Sequence, residues 1–200
     1  MLDLQHYQGI IFDMDGTLVD SMESHLTAWK MACDHFGLPF DKDFLHSLGG
    51  VPSERIVERL NARYDMSCSP ADVAAYKYQA WNQLENNLQL IPETTAIYNH
   101  YRPSKKIGIG TGAKRESAEF ILQSVGLLDE LDVLVTASDV VHGKPAPDTF
   151  LRVAELLGAD ARTCVVFEDT LIGLQAAHAA GMDCYLFTGG QLAFKPFSNN

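Results

Sequence analysis

Two aspartates, Asp13 and Asp15, stand one residue apart directly after an apolar run, in the stretch IIFDMDGTLVDS. On an extended chain residues i and i+2 face the same way, so both carboxylates are aimed at one space. Two like charges about 4 Å apart cost about 4 kcal/mol at an effective dielectric near 20. A divalent cation offsets that repulsion, and Mg²⁺ favours one or two carboxylates together with phosphate oxygens. The plainer alternative is a carboxylate pair in a turn, one member capping a helix.

Three further points along the chain carry groups that suit the same chemistry. Thr111 follows the run KIGIG, and its hydroxyl suits a phosphate oxygen; Gly112 behind it lets backbone N–H groups approach closely. Lys144 lies in the stretch SDVVHGKPAPD, and Glu168–Asp169 closes the run TCVVF. Taken singly, each has an ordinary role: a threonine that caps a turn, a solvated lysine, an acidic pair meeting a helix dipole. Their common position is what counts, because all four points fall at the carboxyl end of an apolar run.

Those runs define the elements that must hold the groups. GIIF (9–12), KIGIG (106–110), DVLVTA (132–137), TCVVFE (163–168) and DCYLF (183–187) have the length and composition of buried strands, and helix-like stretches separate the last four. Strand and helix in alternation predict an α/β fold, a Rossmann-like parallel sheet with helices on both faces. In such sheets ligands bind beyond the carboxyl ends of the strands. Roughly ninety residues separate the first two runs, far more than a crossover of a dozen or so needs. That stretch reads as helical throughout, through MESHLTAWKMACDHFGL, DKDFLHSLG, PSERIVERLNARY and PADVAAYKYQAWNQLENN, with no strand signal inside it. It predicts a helical domain over 20–90 inserted into an α/β core of 1–19 and 91–200, with hinges near Asp20 and Leu90–Glu93. The tail GGQLAFKPFSNN is expected to be irregular.

The composition excludes several classes. A chain of 200 residues that is 46% hydrophobic has enough apolar material for a sizeable core. A formal net charge of −11 argues against a nucleic-acid surface, which needs a basic face. No apolar run approaches the roughly 20 residues of a membrane span, and the N-terminus lacks the pattern of a signal peptide. The four cysteines are scattered, with no C-x-x-C pair, which predicts reduced thiols in a cytoplasmic protein. Nothing marks an interface, so a monomer is expected.

DMDGTLVDS, a strand-end Thr111, GKPAPD and VVFEDTLIG, in that order, resemble the four motifs of the haloacid dehalogenase-like hydrolases. The helical insert resembles the cap of that superfamily's β-phosphoglucomutase-like branch, including a His and a Trp at the positions of His25 and Trp29. The resemblance implies a Mg²⁺-dependent phosphatase acting on a small phosphorylated metabolite. Asp13 would be the nucleophile that forms an aspartyl-phosphate. Asp15 would serve as general acid and then base, and would offer its main-chain carbonyl to the metal. Asp169 would be the second side-chain ligand, with Glu168 in support. Thr111 and Lys144 would hold phosphoryl oxygens, so that an acidic protein gains a locally positive crevice. Gly16 is expected to allow the turn that brings Asp15 over the site, and the Thr17 hydroxyl either fixes Asp15 or caps a helix.

The insert should choose the leaving group. His25 and Trp29 are four residues apart and share a helix face; Trp29 is expected in the insert's core, and His25 either joins it there or touches substrate or relays protons. Lys77 falls where the mutases place a sugar-contacting lysine, against a solvated lysine. The mutases also carry an arginine in the loop matching GGVPSERI, to grip a second phosphate; here that position is Ser53, with Arg55 two residues on. A hydroxyl does not replace a bidentate guanidinium. The sequence therefore looks more like the sugar-phosphate phosphatases that share this cap, such as those for fructose 1-phosphate or 6-phosphogluconate, with a β-phosphoglucomutase as the alternative. GIGTGA also fits a dinucleotide fingerprint, but its glycines begin inside the strand and it leaves the aspartates unexplained. A calcium loop starting at Asp13 fails because Leu18 occupies the required glycine position. A binding module without catalysis is disfavoured because every expected catalytic group is present.

Overall fold

The computed structural model describes residues 2–84 and 88–198. Six strands form one sheet, in the order β5-β4-β1-β6-β7-β8: β1 (Gly9–Phe12), β4 (Lys106–Gly110), β5 (Val133–Val135), β6 (Cys164–Glu168), β7 (Asp183–Thr188) and β8 (Gln191–Lys195). The first five pair in parallel and β8 runs antiparallel to β7. The fold is therefore α/β with a mostly parallel sheet, as expected.

Alternation along β1 shows why its sequence is apolar throughout. Ile10 and Phe12 enter one core with α5 (Pro92–Tyr101) and α6 (Arg115–Ser124); Ile11 enters another with α7 (Asp148–Leu157) and α8 (Leu171–Ala179). A strand covered on both faces needs no polar alternation, and each such side chain contributes about 1.5–3 kcal/mol by burial. The chain leaves β1 at the centre of the sheet, builds outward through β4 and β5, then returns to add β6 and β7 on the other side. That reversal opens a crevice at the carboxyl end of β1.

Among the described residues between Asp20 and Gln89 lie four helices, α1 (Met22–Phe36), α2 (Lys42–Ser47), α3 (Ser53–Tyr64) and α4 (Pro70–Gln83), packed round a separate core of Leu26, Trp29, Ile56, Leu60 and Val73. The expected fourth helical stretch runs on to Asn87, and its residues 85–87 lie outside those described. Two short strands, β2 (Val19–Asp20) and β3 (Gln89–Leu90), pair antiparallel where the chain enters and leaves this segment. The sequence shows no strand there because two residues carry no period.

The tail departs from expectation. It forms β8 instead of irregular chain, because Gly189 and Gly190 both take positive φ (57° and 76°) and make the two-residue turn that reverses β7 onto β8. The strand at DVLVTA is shorter than expected: Thr136 leaves the sheet and accepts from the Ser138 N–H at 3.2 Å to cap a turn.

Candidate active site

The ladder between β1 and β6 continues one step past the strand, with Asp13 N–H donating to the Phe167 carbonyl at 2.9 Å. This places the Asp13 side chain at the end of the sheet, where it is buried. Lys144, also fully buried, reaches it from the loop before α7. Its Nζ donates to Asp13 Oδ1 at 2.6 Å and to Glu168 Oε1 at 2.8 Å. Glu168 is fixed in turn by Thr170, whose N–H and hydroxyl donate to Oε2 at 2.7 and 2.8 Å.

The third acid arrives by a tight fit. Gly16 has φ +81°, and a Cβ there would stand 2.3 Å from Asp169 Oδ2. Only glycine satisfies both constraints. Thr17 lies on the same turn, and its hydroxyl donates to Asp169 Oδ1 at 3.3 Å. This corrects one expectation: Thr17 fixes Asp169, and Ser21 fixes Asp15, donating to Oδ1 at 2.5 Å.

The two aspartates of the DMD motif face the same cavity but take different partners. The strand ends at Phe12, and the Leu18 and Val19 N–H groups both donate to the Met14 carbonyl, so the chain turns between them. Asp13 points to Lys144. Asp15 points to Ser21 and to His25, whose Nε2 lies 3.1 Å from Oδ1. Lys77 closes the chain, with Nζ 2.9 Å from His25 Nδ1. An ammonium has only protons to offer, so His25 Nδ1 accepts and its hydrogen resides on Nε2, donating to Asp15. Trp81 stacks on the imidazole, with ring centroids 5.4 Å apart.

Charge accounts for the titration behaviour. Burial pushes the Asp13 carboxyl up to about 7; Lys144 works against this, and Glu168 and Asp15 add to it. Burial, Glu168 and Asp13 likewise hold Asp169 well above the ordinary carboxylate range. Burial opposes the Lys144 charge, but Asp13 and Glu168 outweigh it and its pKa is raised. In the second cluster burial disfavours the Asp15 anion, yet His25, Ser21 and Lys77 prevail and lower its pKa. His25 is lowered by burial and by Lys77, and Lys77 falls to about 8 through burial, opposed by Asp15.

Oxygens of Asp13, Glu168 and Asp169 all lie within 4.8 Å of one another. When all are ionised, three carboxylates against one ammonium leave an excess of two negative charges, and all the donors are hard oxygens. That set fits a divalent cation. Asp13, Asp15, His25, Lys77, Thr111, Gly112 and Lys144 line one cavity of about 1150 Å³, which also reaches the insert through Trp29, Ser53 and Arg55. Thr111 is buried, and its Oγ1 accepts from the Ala113 N–H at 3.1 Å. The structure thus gathers seven of the nine sequence-chosen residues on the cavity wall, with Glu168 and Asp169 behind Asp13. Arg55 is paired with Glu58 at 2.7 Å.

Sequence reasoning missed Ser21 and Thr170. Each stands directly before a helix, and that N-terminal position is the one signal pointing to it. Trp81 gave no signal apart from its apolar helix face.

A strand-end carboxylate held by a buried lysine, with an acidic pair from a neighbouring strand, stands at the carboxyl end of a mostly parallel α/β sheet. The family model for haloacid dehalogenase-like hydrolases matches residues 7–181, and the chain belongs to that family. It is an enzyme of the phosphatase-type hydrolase class. Among the relatives, fructose-1-phosphate phosphatase YqaB of Escherichia coli K12 is 37% identical over 180 residues, spanning 90% of this chain and 95% of that protein. A β-phosphoglucomutase of Bacillus subtilis is 27% identical, over 88% of this chain and 82% of its own. A hydrolase from Pseudomonas syringae of known structure superimposes with a TM-score of 0.82 at 27% identity, covering 88% of this chain and 83% of that one. Among the described residues, no helix is long and apolar enough to cross a membrane.

Proposed function

We propose that this chain is a Mg²⁺-dependent phosphatase of small phosphorylated sugars or sugar acids, working through an aspartyl-phosphate on Asp13. The observation that carries the reading is the buried contact of Lys144 with Asp13 and Glu168, at 2.6 and 2.8 Å, beside Asp169. In this reading residues 20–90 are a cap domain on a core of 1–19 and 91–200, and the enzyme is a cytoplasmic monomer.

Asp13, Asp169 and the Asp15 main-chain carbonyl would hold the cation, with Glu168 behind them. When bound, Mg²⁺ supplies positive charge where negative charge gathers on the transferring phosphoryl group. Lys144 holds Asp13 Oδ1, and Oδ2 is the attacking atom. It forms a bond to phosphorus as the ester P–O bond breaks; Asp15, an anion in the free site, takes up a proton as the anionic ester binds, on the Oδ2 that neither Ser21 nor His25 engages, and gives that hydrogen to the leaving alkoxide. Asp15, now ionised, takes a proton from water as the water oxygen bonds to phosphorus; the Asp13–phosphorus bond breaks and inorganic phosphate leaves. His25, fixed in one tautomer by Lys77, holds Asp15 in place through Nε2–H. Thr111 and Lys144 keep the phosphoryl oxygens oriented. Phosphate monoesters hydrolyse so slowly unaided that enzymes accelerate the reaction by up to about 10²¹-fold, and preorganised charge of this kind is usually the largest single source of acceleration.

Similarity to the fructose-1-phosphate phosphatase supports a sugar-phosphate substrate. Similarity to the mutase keeps a second reading in view, but Ser53 offers no guanidinium and Arg55 is engaged with Glu58. Phosphate release from a panel of sugar phosphates, with and without Mg²⁺, tests the proposal. Cation-dependent release is expected, and no release from any ester would end it. Faster formation of glucose 6-phosphate than of phosphate, from β-glucose 1-phosphate with a bisphosphate activator, would establish the mutase.

A further inference from the structure

Where the helical segment meets the sheet, three chain segments touch, with no side chain between Gly112 and Gly50 and only the Pro52 ring between Gly143 and the loop backbone. A Cβ on Gly112 would stand 2.0 Å from the Gly50 carbonyl oxygen, and one on Gly143 would stand 2.8 and 3.0 Å from Cγ and Cδ of Pro52. Neither Gly112 nor Gly143 has positive φ, so the backbone at both positions is open to alanine. What excludes a side chain there is the loop at 49–52, which is wedged between the loop carrying Thr111 and the loop carrying Lys144. Beside it stands the Glu54–Lys114 pair at 3.4 Å, well exposed on both sides. Such a pair contributes little, so steric fit is what locates the loop.

We propose that Gly112 and Gly143 are positioning residues, forming a side-chain-free seat on which the 49–52 loop closes the cavity above Asp13 and Lys144. The proposal rests on the phosphatase reading for its effect on turnover, because a seated loop excludes water and fixes the ester against the nucleophile. The two seats differ in kind. At Gly112 the obstacle is backbone, so an added methyl forces the loop back by more than an ångström. At Gly143 it is a proline ring, which a second substitution can remove.

That difference supplies the test. Gly143→Ala, Pro52→Ala, the double variant and Gly112→Ala are compared by turnover of p-nitrophenyl phosphate with Mg²⁺, by hydrogen exchange of the amides in residues 49–56, and by thermal melting. A misplacement of about 1 Å costs about 10²-fold in rate. Gly112→Ala should therefore lose about 10²-fold in kcat. Gly143→Ala, with its smaller overlap, should lose about tenfold. KM should move much less in Gly143→Ala, since Lys144 and Thr111 are untouched, whereas Gly112→Ala also alters the backbone that faces the phosphoryl oxygens and should raise KM as well. Exchange in residues 49–56 should rise in both variants. In the double variant Pro52→Ala should restore both kcat and slow exchange to Gly143→Ala, and it should not rescue Gly112→Ala. Gly143→Ala with native turnover and exchange would overturn the proposal, as would a loss that Pro52→Ala fails to repair. If the wild-type protein releases phosphate from no ester, the phosphatase reading fails while the exchange pattern still decides the seat.

Discussion

Replacing Lys144 with methionine keeps the length and most of the volume of the side chain while deleting its charge. The lysine is fully buried and touches two carboxylates, Asp13 at 2.6 Å and Glu168 at 2.8 Å. Removing one partner of a buried ion pair costs about 3–5 kcal/mol, because the remaining charge is left unmatched. For a chain of this size each kcal/mol is about 2–4 °C in Tm, so Lys144→Met should melt about 6–20 °C lower near pH 8. The penalty must depend on pH. Asp13 and Asp169 already have raised pKa values in the fold, through burial and mutual repulsion, and losing Lys144 raises them further. The native state then binds protons that the unfolded chain releases, so stability falls as pH rises from the ordinary carboxylate range through the folded values. The deficit should be small near pH 5, where these acids are protonated, and large at pH 8. Urea titrations at both values, with and without Mg²⁺, measure it, and the cation should return part of the loss. Adding Glu168→Gln should also recover stability without recovering turnover. A deficit below about 1 kcal/mol, equal at both pH values, would refute the view that these charges meet in a buried cluster.

Two further substitutions separate the parts of the site. Lys77 is held near pH 8 by burial, below its usual value of 10.5, so the unfolded chain binds more protons between those values and stability should rise with pH across that window, by about 3 kcal/mol. Lys77→Met should flatten that rise in urea titrations and lower kcat, because the His25 tautomer is no longer fixed; an unchanged slope would show that Lys77 is not buried beside His25. Gly16→Ala should cost about 1–3 kcal/mol for its backbone conformation and should also displace Asp169. Gly126→Ala, at φ +75° with nothing within 4 Å, carries the backbone cost alone. Calorimetric Mg²⁺ titration should show weaker binding only for Gly16→Ala; equal binding in both variants would place Asp169 outside the cation site.

The sheet was legible because its strands are covered on both faces, so Ile10, Ile11 and Phe12, or Val165, Val166 and Phe167, announce themselves as unbroken apolar runs. The site was legible for a related reason: charged residues such as Asp13 and Glu168 stand out where such a run stops. The β7–β8 hairpin went unread although Gly189–Gly190 marks it, since β8 is an exposed edge strand with little apolar pattern. The connections within the site were the least accessible. Whether Thr17 reaches Asp15 or Asp169 depends on a turn of a few residues that composition does not encode. That Lys77 meets His25 depends on how α4 packs against α1. Spacing along one helix shows which residues share a face, but not which residue of another helix will lie opposite.

The most direct measurement of the account is covalent. Wild-type enzyme is mixed with a turned-over phosphate ester and Mg²⁺, quenched in acid within the first turnover, and reduced with borohydride before peptide mapping. Acyl phosphates are reduced and ordinary carboxylates are not, so Asp13 should be converted to the corresponding alcohol. Asp13→Asn, folded as the wild type, should show neither the conversion nor phosphate release. Conversion at another residue, or undiminished turnover by Asp13→Asn, would contradict the central claim.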